Sequence, residues 1–141
     1  MECRPASAED ADRVAELLEQ LGYPASPEAA ARRLQALAAS RQDDVWVVER
    51  DGTVVGLVAI HVSGSLERDG DVAKISAIVV DEAARRQGVG EQLMALAERK
   101  ARRRGCMQLF LTTAERRKDA HAFYRRLGFE ETGRRFAKAL D

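Results

Sequence analysis

Two arginines, two glycines and the start of a helix stand together at Arg85-Arg86-Gln87-Gly88-Val89-Gly90-Glu91, a combination suited to holding a phosphate-bearing ligand. Gly88 and Gly90 lack the side chains that would keep backbone N–H groups away from an anion. The first N–H groups of a helix are unpaired donors at the positive end of its dipole. Arg85 and Arg86 add two full charges beside them. Two other phosphate loops are excluded by spelling. Gly-x-x-x-x-Gly-Lys-[Ser/Thr] is absent, so no lysine or magnesium-binding hydroxyl follows. A dinucleotide fingerprint needs a small residue where Leu93 stands and an acidic one about 20 positions further on, where Leu109, Phe110 and Leu111 form an apolar strand.

The elements around this loop follow from periodicity. Val14, Leu17, Leu18 and Leu21 recur at helical spacing after Ser7, and Gly22 stops the helix. Tyr23 to Pro27 is a turn, with Ser26 as cap and Pro27 as first residue of a second helix over 27–39. Residues 45–50 and 53–62 are β-branched runs joined by Asp51-Gly52, a hairpin signal because a type I′ turn needs positive φ at both positions. A polar loop over 63–70 leads to a strand over 71–80. The helix over 88–104 buries Val89, Leu93, Leu96, Ala97 and Ala101 and ends at Gly105. A strand over 106–113, a short helix over 117–127 and one or two terminal strands over 129–140 complete an α/β pattern with a mixed sheet.

Arg-x-x-Gly-x-Gly at Arg85, Gly88 and Gly90, between a strand and a helix, resembles the signature loop of the GNAT superfamily of acetyl-CoA-dependent N-acetyltransferases. Asp119-Ala120-His121-Ala122-Phe123-Tyr124-Arg125-Arg126-Leu127-Gly128-Phe129 is similar to the family's Ala-x-x-Phe-Tyr-x-x-x-Gly-Phe segment. Two motifs in this order are far more specific than either alone. The resemblance covers nearly the whole chain and implies the GNAT fold: α/β (α+β), with a mixed, mostly antiparallel sheet of six to seven strands. About four helices flank the sheet, which is splayed between strands 4 and 5.

The resemblance also assigns roles. Backbone groups of Ile78, Val79 and Val80 would meet pantetheine, and Arg85, Arg86, Gln87, Gly88, Val89, Gly90 and Glu91 would hold the pyrophosphate. Tyr124 matches the tyrosine that protonates the departing thiolate, a suitable task for a phenol with a pKa of about 10. From its helical spacing alone, Tyr124 reads equally as a core residue. An amine would attack the thioester directly, with acetyl-CoA as co-substrate and no metal. A glutamate often stands on the strand before the loop as general base; here that position holds Lys74. Water, His61, Glu67 and Asp71 remain as proton routes. Tyr23 and His61 are candidate substrate residues, and the acceptor cleft is expected between Tyr23, His61 and Tyr124. Further likeness to the aminoalkylphosphonate and aminoglycoside branches rests on Gly56, on Ile60-His61-Val62, on Arg117 to Tyr124 and on the ending Arg135 to Leu140, with Lys74, Ser76 and Ala77 in place of acidic and amide residues expected there.

Composition sets the bounds. A chain of 141 residues with 45% hydrophobic content has the material for one buried core, read as a single domain over residues 1–141. The net charge is zero, yet residues 1–71 carry seven basic and fourteen acidic groups, and residues 72–141 carry sixteen and nine. A polyphosphate ligand would favour the basic half and a cationic amine the acidic half. Cys3 and Cys106 are too few for a disulfide framework or a zinc site, which suits a cytoplasmic setting. No signal peptide or membrane span is read, and the arginines at the end of the third helix suit its dipole better than they suit nucleic acid. The expectation is an N-acetyltransferase acting on the primary amine of a small, cationic acceptor, with homodimer formation left open. The contrasting expectation is a silent acyl-CoA-binding module of the same fold.

Overall fold

The computed structural model describes residues 1–113 and 118–140. Its sheet has five strands in the order β1 (Glu2–Pro5), β2 (Asp43–Arg50), β3 (Thr53–Gly64), β4 (Asp71–Val80) and β5 (Cys106–Phe110). Neighbours from β1 to β4 are antiparallel, and β5 runs parallel to β4. The helices are α1 (Ala11–Leu21), α2 (Pro27–Ala39), α3 (Val89–Arg103) and α4 (Lys118–Arg126).

Local chemistry sets the boundaries. Asp51 and Gly52 have φ of 52° and 78°, the paired positive angles that turn β2 into β3. Gly22 closes α1 at φ 104°. The Ser26 hydroxyl accepts from the Ala29 N–H at 3.1 Å and starts α2. Before α1, Asp10 is buried at 8% exposure but not alone: it accepts from Arg4 at 2.8 and 2.9 Å and from the Ser7 N–H at 2.9 Å. A buried carboxylate is tolerated because its partners replace the lost water.

The sheet is covered on both faces. Val48, Val58, Ile60 and Ile75 pack with Val89, Leu93, Leu96 and Ala97 of α3, whereas Val47, Val54, Leu57 and Val79 pack with Leu17 of α1 and Leu34 of α2. This accounts for the unbroken apolar run of β3, whose residues Val54 to Ile60 are all buried.

Two bulges break the antiparallel ladders. Glu49 pairs with Val54 but Val48 pairs with Gly56, so Val55 is extra; Ala59 pairs with Ala77 but Ile60 pairs with Ile75, so Ser76 is extra. The Ser76 hydroxyl donates to the Ala59 carbonyl at 3.2 Å. Beside this second bulge the sheet opens: β5 pairs with β4 only over Asp71–Lys74, and among the described residues no strand follows Ile75 to Val80 on that side.

The structure corrects several expectations. The sheet has five strands rather than six to seven, because no strand forms over 129–140. Glu130, Glu131, Thr132, Gly133, Arg134 and Arg135 offer no alternating apolar face, and Phe136 and Leu140 stand 92% and 91% exposed. β5 stops at Phe110 instead of Thr113. The last helix is described from Lys118 to Arg126, and Arg117, expected as its first residue, lies outside the described residues. β1 carries no hydrophobic alternation and ends in proline, which an edge strand accepts.

Candidate active site

The loop between β4 and α3 is positioned from below. After β4, Asp81 accepts from the Ala83 N–H at 3.0 Å and from Arg13 Nη2 at 2.5 Å. Arg13 also donates to the Val54 carbonyl, at 3.0 Å from Nε and 2.7 Å from Nη2, so α1, β3 and the end of β4 share one guanidinium. That hydrogen bond from Arg13, followed by the one from the Ala83 N–H, holds the Asp81 carboxyl below the usual range. Arg85 then runs extended, Arg86 turns left-handed at φ 64°, and Gly88 caps α3 at φ 82°. Glycine adopts the left-handed region without strain; arginine does not.

The consequence lies in the backbone. The first helical hydrogen bond of α3 runs from the Gln92 N–H to the Gly88 carbonyl at 3.1 Å. Among the described residues, the N–H groups of Arg86, Gln87, Gly88, Val89, Gly90 and Glu91 donate to no protein acceptor. Six consecutive unpaired donors at a helix start are a combination suited to an anion. Arg85 and Arg86 are exposed beside it, and Gln87 accepts a hydrogen bond from Arg50 at the end of β2. The position of Arg50 depends on the hairpin and is not signalled by the loop's own spelling. Arg126 of α4 stands 4.0 Å from the Glu91 carboxylate and 5.6 Å above the Phe123 ring.

Gly90 serves packing. A methyl group there would lie 3.3 Å from Phe123 Cζ and 3.7 Å from Val80 Cγ2, so the missing side chain lets α4 approach both the start of α3 and the end of β4. Tyr124, next on α4, is half-buried against the α3-side core, edge-on to Phe123 at 5.5 Å and to Phe129 at 6.0 Å. It also lines a cavity of about 880 Å³ bounded by β5, α4 and residues 127–136. Val79 is buried and Ile78 and Val80 are half-buried. Alternate backbone groups over Ile75–Val80 point towards the side that β5 has left.

The other predicted residues do not converge as expected. Tyr23 is 67% exposed in the α1–α2 connection, and neither it nor His61 lines the cavity that Tyr124 lines. His61 alternates with Ile60 and Val62, which face α3, so it faces the α1/α2 side. Glu67 and Asp71 are exposed. His61 Nδ1 instead meets Asp43 Oδ1 at 2.9 Å, and Asp43 Oδ2 accepts from the Ser40 hydroxyl at 2.6 Å. Burial works against the Asp43 carboxylate, yet the hydrogen bonds from Ser40 and His61 outweigh it and hold its pKa below the usual value. Asp43 goes unmarked in the sequence because its pairing depends on a bulge.

A model of the acetyltransferase (GNAT) family matches residues 11–129. An aminoalkylphosphonate N-acetyltransferase of Salmonella typhimurium LT2 is 35% identical over 91 residues, a stretch that spans 64% of this chain and 59% of that protein. An aminoglycoside 6'-N-acetyltransferase of Acinetobacter haemolyticus superposes with a TM-score of 0.83 at 25% identity, covering 100% of both chains. A structure described as a transcriptional regulator from Bacillus halodurans C-125 shares the fold with a TM-score of 0.91 at 24% identity, over 99% of both chains.

Proposed function

Since the chain belongs to the acetyltransferase (GNAT) family, we propose that it transfers the acetyl group of acetyl-CoA directly to the primary amine of a small acceptor that arrives as a cationic ammonium. The observation that carries this reading is the run of six unpaired backbone donors, Arg86 to Glu91, placed one turn beyond a strand whose edge has been left open. In this reading those donors, with Arg85 and Arg86, hold the pyrophosphate. The open edge over Ile78–Val80 pairs with the pantetheine amides, which replace the strand that would otherwise satisfy the backbone.

Tyr124 then acts as the acid. As the amine nitrogen bonds to the acetyl carbon and the carbon–sulfur bond breaks, the phenol gives its proton to the thiolate, and a backbone N–H near Val80 steadies the carbonyl oxygen. Both named enzyme relatives act on amines, one on aminoalkylphosphonates and one on an aminoglycoside, which supports an amine acceptor here. The two free thiols, Cys3 and Cys106, support a cytoplasmic setting. A second reading, an acyl-CoA-binding module without turnover, draws on Lys74 standing where a carboxylate base is expected.

One experiment separates the two readings. Acetyl-CoA binding is measured by calorimetry, and CoA thiol release is followed with polyamines, aminoglycosides, aminophosphonates and amino acids. Amine-stimulated release supports the transferase. Binding without stimulated release from pH 7 to 9 supports the module, and absence of binding overturns both.

A further inference from the structure

The transfer proposed above gives the acceptor's ammonium proton no destination, and the sheet offers one. Asp43 on β2 lies directly opposite His61 on β3, and His61 lies directly opposite Lys74 on β4. All three side chains point to the α1/α2 face, since their neighbours Val62, Ala73 and Ile75 pack on the α3 side. Lys74, opposite Phe110, is also the last residue of β4 that β5 pairs with. The row therefore ends at the mouth of the gap, with His61 one strand spacing away, roughly 4.8 Å.

We infer that His61, oriented by Asp43, is the base that takes the proton from the acceptor's ammonium group. The inference rests on the acetyl-transfer reading and names a catalytic residue and a positioning residue within it. Asp43 is fixed at both oxygens, by Ser40 at 2.6 Å and by His61 Nδ1 at 2.9 Å, so it sets the ring plane and takes the Nδ1–H. The lone pair is then at Nε2, which makes no hydrogen bond among the described residues, on a side chain 42% exposed to an incoming molecule. The charged groups around the ring are the Asp43 carboxylate from β2, the Lys74 ammonium from β4 and, acting on Asp43 from the end of α3, the Arg104 guanidinium. Lys74 makes no ion pair or hydrogen bond among the described residues; as an ammonium it has no lone pair to accept a proton.

The balance is complete without a further reactant. The ammonium gives one proton to Nε2, which passes it to water. The neutral amine forms the new carbon–nitrogen bond as the carbon–sulfur bond breaks, and the second proton lost by nitrogen restores Tyr124 after Tyr124 has protonated the sulfur. Base and acid then lie on opposite faces of the sheet, His61 on the α1/α2 side and Tyr124 on the α3 side. The gap beyond Lys74 joins the two faces.

The test measures amine-dependent CoA release against pH, together with acetyl-CoA Kd, for wild type, His61→Gln, His61→Ala and Asp43→Asn. His61→Gln is expected to lower kcat about 100-fold or more and to remove the acid limb, with Kd unchanged. Asp43→Asn is expected to move the acid limb to lower pH, because the imidazolium loses its carboxylate, an effect that a purely structural role would not produce. Added imidazole is expected to restore rate to His61→Ala. A wild-type rate and an intact acid limb in His61→Gln, or an unmoved limb in Asp43→Asn, overturns the inference alone. Absence of amine-dependent release in the wild type overturns the acetyl-transfer reading as well.

Discussion

The two ends of β4 carry two differently built halves of the candidate site. At the Val80 end the working groups are backbone N–H donors, set by two left-handed residues and a helix start. At the Lys74 end they are side chains from three strands, aligned by register. A backbone site tolerates changes of side chain provided the conformation survives. A side-chain row depends on the identity of each residue and on the register that aligns the strands. Donor binding and acceptor chemistry should therefore fail separately.

The largest effect is expected at the backbone end. Gly88→Asp brings a carboxylate to the donors at φ 82° and should weaken acetyl-CoA binding at least about 100-fold, or about 2.7 kcal/mol, by calorimetry. Gly88→Asn, uncharged and tolerant of positive φ, should keep most of the affinity. Equal losses in both would show that conformation, not charge, decides. Tyr124→Phe should lower kcat about 100-fold while leaving acetyl-CoA Kd in place, and an unchanged rate would remove the phenol from the mechanism.

Asp81→Asn loosens the bracket beneath the loop and should cost about 1–3 kcal/mol in denaturant unfolding. The folded Asp81 pKa is depressed, so its contribution is present above the ordinary value of 3.8 and is lost as pH falls through the folded value. Melting temperatures taken from pH 5 downwards should fall less steeply in Asp81→Asn than in wild type. The smallest effect belongs to Gly90→Ala. Phe123 must yield a few tenths of an ångström, for about 1 kcal/mol and a few-fold loss in Kd.

The same division explains what the sequence makes legible. Gly88, Gly90 and the run into α3 are local, so the loop is spelled out, as are the Asp51-Gly52 turn and the Ser26 cap. The Asp43–His61 pair is not local. Counting outward from the Asp51-Gly52 turn without a bulge sets Asp43 against Ile60, on the opposite face; the extra residue Val55 moves it by one, to His61. Nothing in the spelling of Val54-Val55-Gly56 announces that step. The terminal strands fail for another reason: 129–140 was expected to be strand, whereas 130–135 is charged and lacks an apolar face. Element type follows from neighbouring residues, but register and strand count follow from tertiary pairing.

Arg86, a non-glycine residue at φ 64°, has a bearing on how this protein can be engineered. Its backbone conformation costs about 1–2 kcal/mol that glycine would recover, so Arg86→Gly is a natural choice for thermostabilisation. The same exchange removes one of the two guanidinium groups beside the donors. Stability and the charge beside the donors thus compete at a single codon, and a screen for heat resistance alone would select for a chain with one guanidinium fewer there.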